Sequence, residues 1–305
     1  MEYKKSILKY FVFICLIWFI VFASSCSIKE SIFLVTSDIH YDGTVAKTAI
    51  IDSVIGLMNN IKSLKIQGEK GRIRTPFGFV IQGDLTDSSL PEQWKQFTDS
   101  WGVNGEKKIK YPVFESFGNH DGNHDGIVRT GVIERNKKRR KIIAISENGL
   151  HYSWNRNGVH FVMLGIYPGN VWDSACGWCH YFKQSFKDPQ QSLAFLEKDL
   201  KDNVKGTRKP IVLFFHYGWD DFSKLWWTSA EQSAFYNLIK AKNVVAIFHG
   251  HDHGVASYKW NGINIWSDGS PQNGNRTGNF LLVHIAGTNA KVYSVSNKNV
   301  IQIKQ

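Results

Sequence analysis

The chain has 305 residues, 43% of them hydrophobic and 21% charged, and its 37 basic and 26 acidic side chains leave a formal net charge of +11. That balance excludes wholesale disorder and supplies apolar surface for one large core or two small ones. The positive excess suits an anionic substrate or surface without naming either. In chain order, the first zone has the layout of a secretory signal: Lys4, Lys5 and Lys9, an apolar run over 11–23, and small residues before Cys26. A membrane span needs about 20 apolar residues, so cleavage near Cys26 is the expectation. Ala23-Ser24-Ser25-Cys26 resembles a bacterial lipoprotein box, with Ala23 where a larger aliphatic residue is usual. Lipidation of Cys26 would place a secreted protein on the outer membrane face, in the periplasm or at the cell surface. Ordinary cleavage and an uncleaved anchor are the alternatives.

Beyond the signal, short apolar runs alternate with amphipathic stretches, which predicts strands and helices of an α/β layered fold. A strand is expected over 31–37, then a helix over 45–64 with Ile50, Val54, Leu57, Met58 and Ile61 on one face. A strand over 76–82, a helix opened by Pro91 over 91–101 and a strand over 111–117 follow. Residues 122–148 are charged and aperiodic and read as a basic insertion. Strands over 150–154 and 159–165, a helix over 189–200, a strand over 210–215, a helix over 229–240 and a strand over 244–248 come next. Alternating runs over 255–260, 263–267, 279–285 and 291–295 close a mostly β portion. With no repeat or Pro-rich linker, a single domain over 30–305 is expected.

Five polar clusters fall directly after predicted strands, where α/β sheets place ligand sites. They are Asp38-Ile39-His40, Gly83-Asp84, Gly118-Asn119-His120-Asp121, His216 and Gly250-His251-Asp252-His253. Carboxylate, amide and imidazole donors in that number suffice for two divalent ions. The one-residue gap in Asp38-x-His40 and His251-x-His253 is expected to put both donors on one side of an extended chain. Gly122-Asn123-His124-Asp125 repeats the third cluster, and the first copy is preferred because it follows the strand directly.

The ordered set D-x-H, G-D, G-N-H-D, H and G-H-x-H resembles the calcineurin-like metallophosphoesterase superfamily over Asp38 to His253. The resemblance implies a sandwich of two mixed β-sheets flanked by helices. It also implies that Asp38, His40 and His253 bind one metal, that Asn119, His216 and His251 bind the other, and that Asp84 bridges them. Hydrolysis would use a hydroxide activated by two metals, with His120 donating to the leaving oxygen and Asp121 orienting its imidazole. Purple acid phosphatases carry Tyr three residues after the bridge. Here that position is Asp87, so no iron–tyrosinate is implied, and Mn, Fe and Zn all stay open. Asp42, Asp87 and His124 either meet substrate or are solvated, His249 and Asp252 read as support for the ligands, and His151, His160, His180 and His284 read as structural.

Two aromatic loops flank these motifs, 167–186 with Trp172, Trp178, Tyr181, Phe182 and Phe186, and 217–227 with Trp219, Phe222, Trp226 and Trp227. They form a wall for an organic group or pack on each other. Cys176-Gly177-Trp178-Cys179 reads as a local disulfide in an oxidising compartment. Arg129, Arg135, Lys137, Lys138, Arg139 and Arg140 either bind further phosphates or an anionic membrane, or are solvated surface. The substrate expected is a phosphodiester or monoester of a small organic group, such as a nucleotide, phosphoinositide or other phospholipid headgroup. A protein or general phosphomonoesterase is the alternative, and a phosphate-binding surface protein without turnover a more distant one. Nucleic acid is not expected as a binding partner, and oligomeric state is left open.

Overall fold

The structure, a computed structural model, describes residues 30–123, 125–170, 188–204, 208–271 and 280–304. The signal segment with Cys26, His124, Cys176, Cys179, His180 and the aromatic residues of 172–186 lie outside the described residues. Strand β1 (Ser31–Thr36) is buried along its whole length because its alternate side chains meet two different layers. Phe33 and Val35 face the sandwich interior, where the Phe33 ring lies 5.4 Å from Phe161 and 6.0 Å from Phe214. Ile32 and Leu34 join the layer of Ile51, Ile55 and Met58 from the first helix.

Two mixed sheets form the sandwich. The first has six strands in the order β13-β12-β11-β1-β2-β3, with β2 (Phe79–Ile81) and β3 (Val113–Glu115) parallel to β1, and β11 (Phe280–Ala286), β12 (Asn289–Ser296) and β13 (Asn299–Gln302) antiparallel in turn. The second has seven strands in the order β4-β5-β6-β7-β8-β10-β9. Its centre is parallel: β6 (Val159–Met163), β7 (Ile211–Phe214), β8 (Val244–His249) and β10 (Ile263–Asp268). The edges are β4 (Ile142–Ile145), paired to β5 (Tyr152–Arg156), and β9 (Val255–Trp260). Parallel strands end together, so the loops after β1, β2, β3, β7 and β8 meet at one end of the molecule.

The first helix spans Val45–Asn59, capped by the Thr44 side chain accepting from the Lys47 N–H. It ends early because the Asn60 amide donates to the Gly56 carbonyl, competing with the helical pattern, and a single 3₁₀ turn over Ile61–Ser63 follows. Its buried face is Ile51, Val54, Ile55 and Met58, while Ile50, expected on that face, is 45% exposed.

The expected basic insertion is instead a helix, Ile127–Lys138, followed by edge strand β4. Arg129, Arg135 and Arg139 are buried. Arg135 Nε donates to Glu115 Oε1 at 2.6 Å, Arg139 pairs with the same carboxylate, and the Arg129 guanidinium lies 4.4 Å from the Phe117 ring centre. Arg135 and Arg139 therefore tie β3 to the end of this helix, and Arg129 packs on Phe117 just beyond β3 with Asp188 3.7 Å away, so none of the three is solvated surface. Among the described residues no helix is long and apolar enough to cross a membrane.

Candidate metal centre

Beyond the sheet, the loops after β1 and β2 continue as a parallel ladder, with Asp38 N–H donating to Gly83 O and His40 N–H to Asp84 O, both at 3.0 Å. The backbone is not extended there, contrary to the expectation from the one-residue gap. Asp38, His40, Asp84, His251 and His253 all have left-handed φ, between 48° and 74°. A non-glycine residue in that region is strained, and such strain persists only where surrounding structure over-determines it. In D-x-H, both donors point into the site because two left-handed residues flank a buried Ile39.

Each central carboxylate divides its labour. Asp38 Oδ2 accepts from the His251 N–H at 2.9 Å and from the Ser37 hydroxyl, leaving Oδ1 buried with no hydrogen-bond partner. Asp84 Oδ1 accepts from the His120 N–H at 2.9 Å, leaving Oδ2 3.5 Å from His40 Nε2 and 3.3 Å from His216 Nε2. Gly118 and Gly250 admit this crowding, since a Cβ on the first would fall on Asp84 Oδ1 and on the second against Ser37 and Asp38.

Around these oxygens stand two groups of donors, Asp38, His40 and His253, and Asp84, His216 and His251. His40 Nε2 and His253 Nε2 are 3.2 Å apart, and His253 Nε2 is 3.3 Å from Asp38 Oδ1. Asn119 Oδ1 lies 3.0 Å from His216 Nε2. His216 Nδ1 donates to the Gln82 carbonyl at 3.0 Å, which leaves Nε2 as the free donor atom. Two imidazole nitrogens facing one partnerless carboxylate oxygen form a donor set that fits a divalent cation.

Burial pushes the His216 imidazole down, and Asp84 and Asp38 more than reverse this, holding it up at about 9. Burial and the neighbouring His216 push His251 down to about 4. Burial raises the Asp38 carboxyl, but His253 and His40 outweigh it and hold it well below the usual range.

His120 is exposed, and its ring centre is 4.7 Å from that of His40 in edge-to-face contact. Its Nδ1 donates to the Asp87 carbonyl at 2.7 Å, so Nε2 is the nitrogen free to gain and lose a proton. Asp121 does not orient it. Both Asp121 oxygens are taken by N–H groups of Leu85, Thr86 and Gly118 and by the Thr86 hydroxyl, which makes this carboxylate the tie between the loops after β2 and β3. Asp42 accepts from Thr44 at the first helix, His249 Nε2 meets the Tyr258 hydroxyl at 2.7 Å, and Asp252 meets the Ser267 hydroxyl. His151, His160 and His284 are held by Gln190 O, Asp199 and Glu30.

Three features go beyond the motifs. Asp268, at the end of β10, stands with Oδ1 2.6 Å from Ser37 Oγ, the hydroxyl that donates to Asp38, and so backs Asp38 through that serine. Its position at a further parallel strand end is the signal that marks it. The Asp87 carboxylate lies 3.6 Å from His40 Nδ1. Phe222, 41% exposed, has its ring centre 4.8 Å from that of His251. Trp226 and Trp227 are buried, so in this loop they pack and do not line a wall.

The chain belongs to the calcineurin-like phosphoesterase family, whose profile matches residues 32–255. It is thus a phosphoesterase, a hydrolase of a family that cleaves phosphate esters with the help of metal. Its fold is similar to that of a dimetal phosphatase from Danio rerio, 13% identical, covering 90% of this chain and 98% of that one with a TM-score of 0.58. GAP50, described as the anchor in the inner membrane complex of Plasmodium, is also 13% identical, with 90% of both chains covered and a TM-score of 0.50. No curated protein matches the chain.

Proposed function

We propose that the chain hydrolyses a small phosphoester with a ring-bearing organic group at a centre for two divalent ions. The observation that carries this reading is the Asp84 carboxylate, whose Oδ2 lies between His40 of one donor group and His216 of the other. Asp38, His40 and His253 would hold one ion and Asn119, His216 and His251 the second, with Asp84 shared. Two divalent ions, if held there, would supply Lewis acidity to the phosphoryl oxygens and to the attacking water. The residues themselves set geometry: backbone N–H groups fix one oxygen of each central carboxylate, so the other needs no reorientation during reaction. His120, held by the bond from Nδ1 to the Asp87 carbonyl, would offer Nε2 to the leaving group.

Replacing His120 by Asn should lower turnover of an alkyl phosphate about 100-fold or more, within the usual range for a general acid, and of an activated aryl phosphate far less. Equal losses on both substrates would remove the proton-donor role.

Phe222 supports an organic leaving group with a flat face. Phe222→Ala is expected to raise KM for a nucleotide or aryl phosphate about tenfold, the scale of one lost aromatic contact, and to leave KM for a small alkyl phosphate unchanged. The class is tested by profiling metal-loaded protein on nucleotides, phosphoinositides, sugar phosphates and phosphopeptides, each as monoester and diester. Fastest turnover on phosphopeptides would replace this reading with that of a protein phosphatase. For localisation, the reading is export and anchoring through lipidated Cys26, supported by the basic, apolar and small-residue zones of 1–26. Mass spectrometry of the mature N-terminus tests it.

A further inference from the structure

A group of exposed cations stands at the end of the molecule opposite the metal centre, although Lys224 lies among the ligand loops and other lysines lie along the helices. All the loops that carry the candidate ligands follow the C-terminal ends of parallel strands, and exposed Asp42, Asp87, Asp125, Asp221 and Asp252 stand in those same loops. The loops that lead into the strands carry cations instead. Arg72 and Arg74 precede β2, Arg140 and Lys141 precede β4, and Arg208 precedes β7, while Arg156 ends β5 at the turn into β6, all of them exposed. β4 runs in the direction of β6, because both are antiparallel to β5. These residues share one end: Asn157 Nδ2 donates to Glu30 O, Ser31 Oγ to Arg156 O, and Arg74 pairs with Glu30. A cavity of about 350 Å³ there is lined by Glu30, Lys70, Arg72, Arg74, His284 and Lys291 among others. The acidic groups at this end are already engaged, Glu69 by Tyr293 and Lys291, and Glu106 by the Val103 and Asn104 N–H groups.

Glu30 directly precedes β1 at this basic end, four residues after Cys26. Four residues reach at most about 14 Å, so an anchored Cys26 would hold the basic end close to the bilayer, where surface potential decays over about 8 Å. A diacylated Cys26 would hold the chain on a membrane, and a polybasic patch beside it would add attraction to anionic lipid and fix which end faces the bilayer. We propose that this end docks on an anionic bilayer surface, with the carboxylate-rich metal centre facing away from it. The inference deepens the anchoring proposed above and rests on it only for how the protein reaches the membrane.

The test uses the full chain reconstituted with vesicles of phosphatidylcholine alone or of equal parts phosphatidylcholine and phosphatidylglycerol, read by hydrogen exchange. Residues 70–74, 139–141 and 155–157 should exchange at least tenfold more slowly on the anionic vesicles than on the neutral ones. Molar salt or the triple variant R72E/K141E/R208E should abolish the difference, with aryl phosphate hydrolysis unchanged as the control for folding. Equal exchange on both vesicles, protection of the ligand loops instead, or stronger protection by duplex DNA than by the anionic vesicles would overturn the proposal. Failure to stay on neutral vesicles would count against the anchor alone, since lipid-dependent protection on anionic ones would still support docking.

Discussion

Replacing Asp84 by Asn is expected to lower kcat about 1,000-fold or more, on the order of 4 kcal/mol of barrier, while the protein stays folded. Asn keeps an oxygen that can accept the His120 N–H, so the loop between β3 and the helix Ile127–Lys138 retains its tie. What disappears is the negative charge that faces His40 and His216 from within the fold. With that charge gone, neither donor group has a shared partner, and metal content measured by mass spectrometry should fall below that of the wild type. Single-turnover rates with excess Mn²⁺, beside a thermal melt, check both halves. Wild-type turnover from a folded Asp84→Asn protein would be fatal to the two-ion reading.

The largest stability effect should come from Glu115, far from the chemistry. Burial pushes its carboxyl up, and Arg135 and Arg139 more than reverse that, holding it down at about 2 from an ordinary value of 4.5. A carboxylate whose folded pKa is depressed stabilises the fold fully above its unfolded value and loses that contribution as pH falls toward the folded one. The contribution is about 3 kcal/mol, at 1.36 kcal/mol per pKa unit, and it should vanish between about pH 4.5 and pH 2. Glu115→Gln leaves two guanidinium groups buried without a counter-charge, and should lower stability at neutral pH by about 3–5 kcal/mol. Urea unfolding at about pH 6 and about pH 3 separates the two, because the wild type should lose stability across that interval and the Gln variant much less. Equal pH dependence in both proteins would show that Glu115 does not titrate as described.

The same arginines show where sequence reasoning stops. A run such as Arg135-Asn136-Lys137-Lys138-Arg139-Arg140 carries no apolar periodicity, and periodicity is the signal that betrays a buried helix face. The face exists, but Val128 and Val132 share it with Arg129, Arg135 and Asn136, and the Glu115 that pairs with Arg135 sits twenty residues away in sequence. The end strands are legible only where hydrophobic: β12 carries an alternating run over 291–295, whereas β13 has Val300 as its one buried residue. The ligand clusters were readable because strand ends are marked by short apolar runs, and a polar residue directly after such a run has one place to go. Local backbone was not readable, since nothing in Asp38-Ile39-His40 distinguishes an extended chain from two left-handed residues. The role of Asp121 also depended on which backbone N–H groups would arrive from the loop after β2.

Those left-handed residues bear on which metal the protein carries. Donor atoms held by backbone that cannot relax are in place before an ion arrives, so little ordering entropy is lost on loading. A site of this kind is a fixed mould of borderline donors, and it has little means of reshaping itself around one ion in preference to another of similar size. Selection then passes from the protein to its surroundings: the compartment in which the chain folds, and the ions available there, would set the occupant.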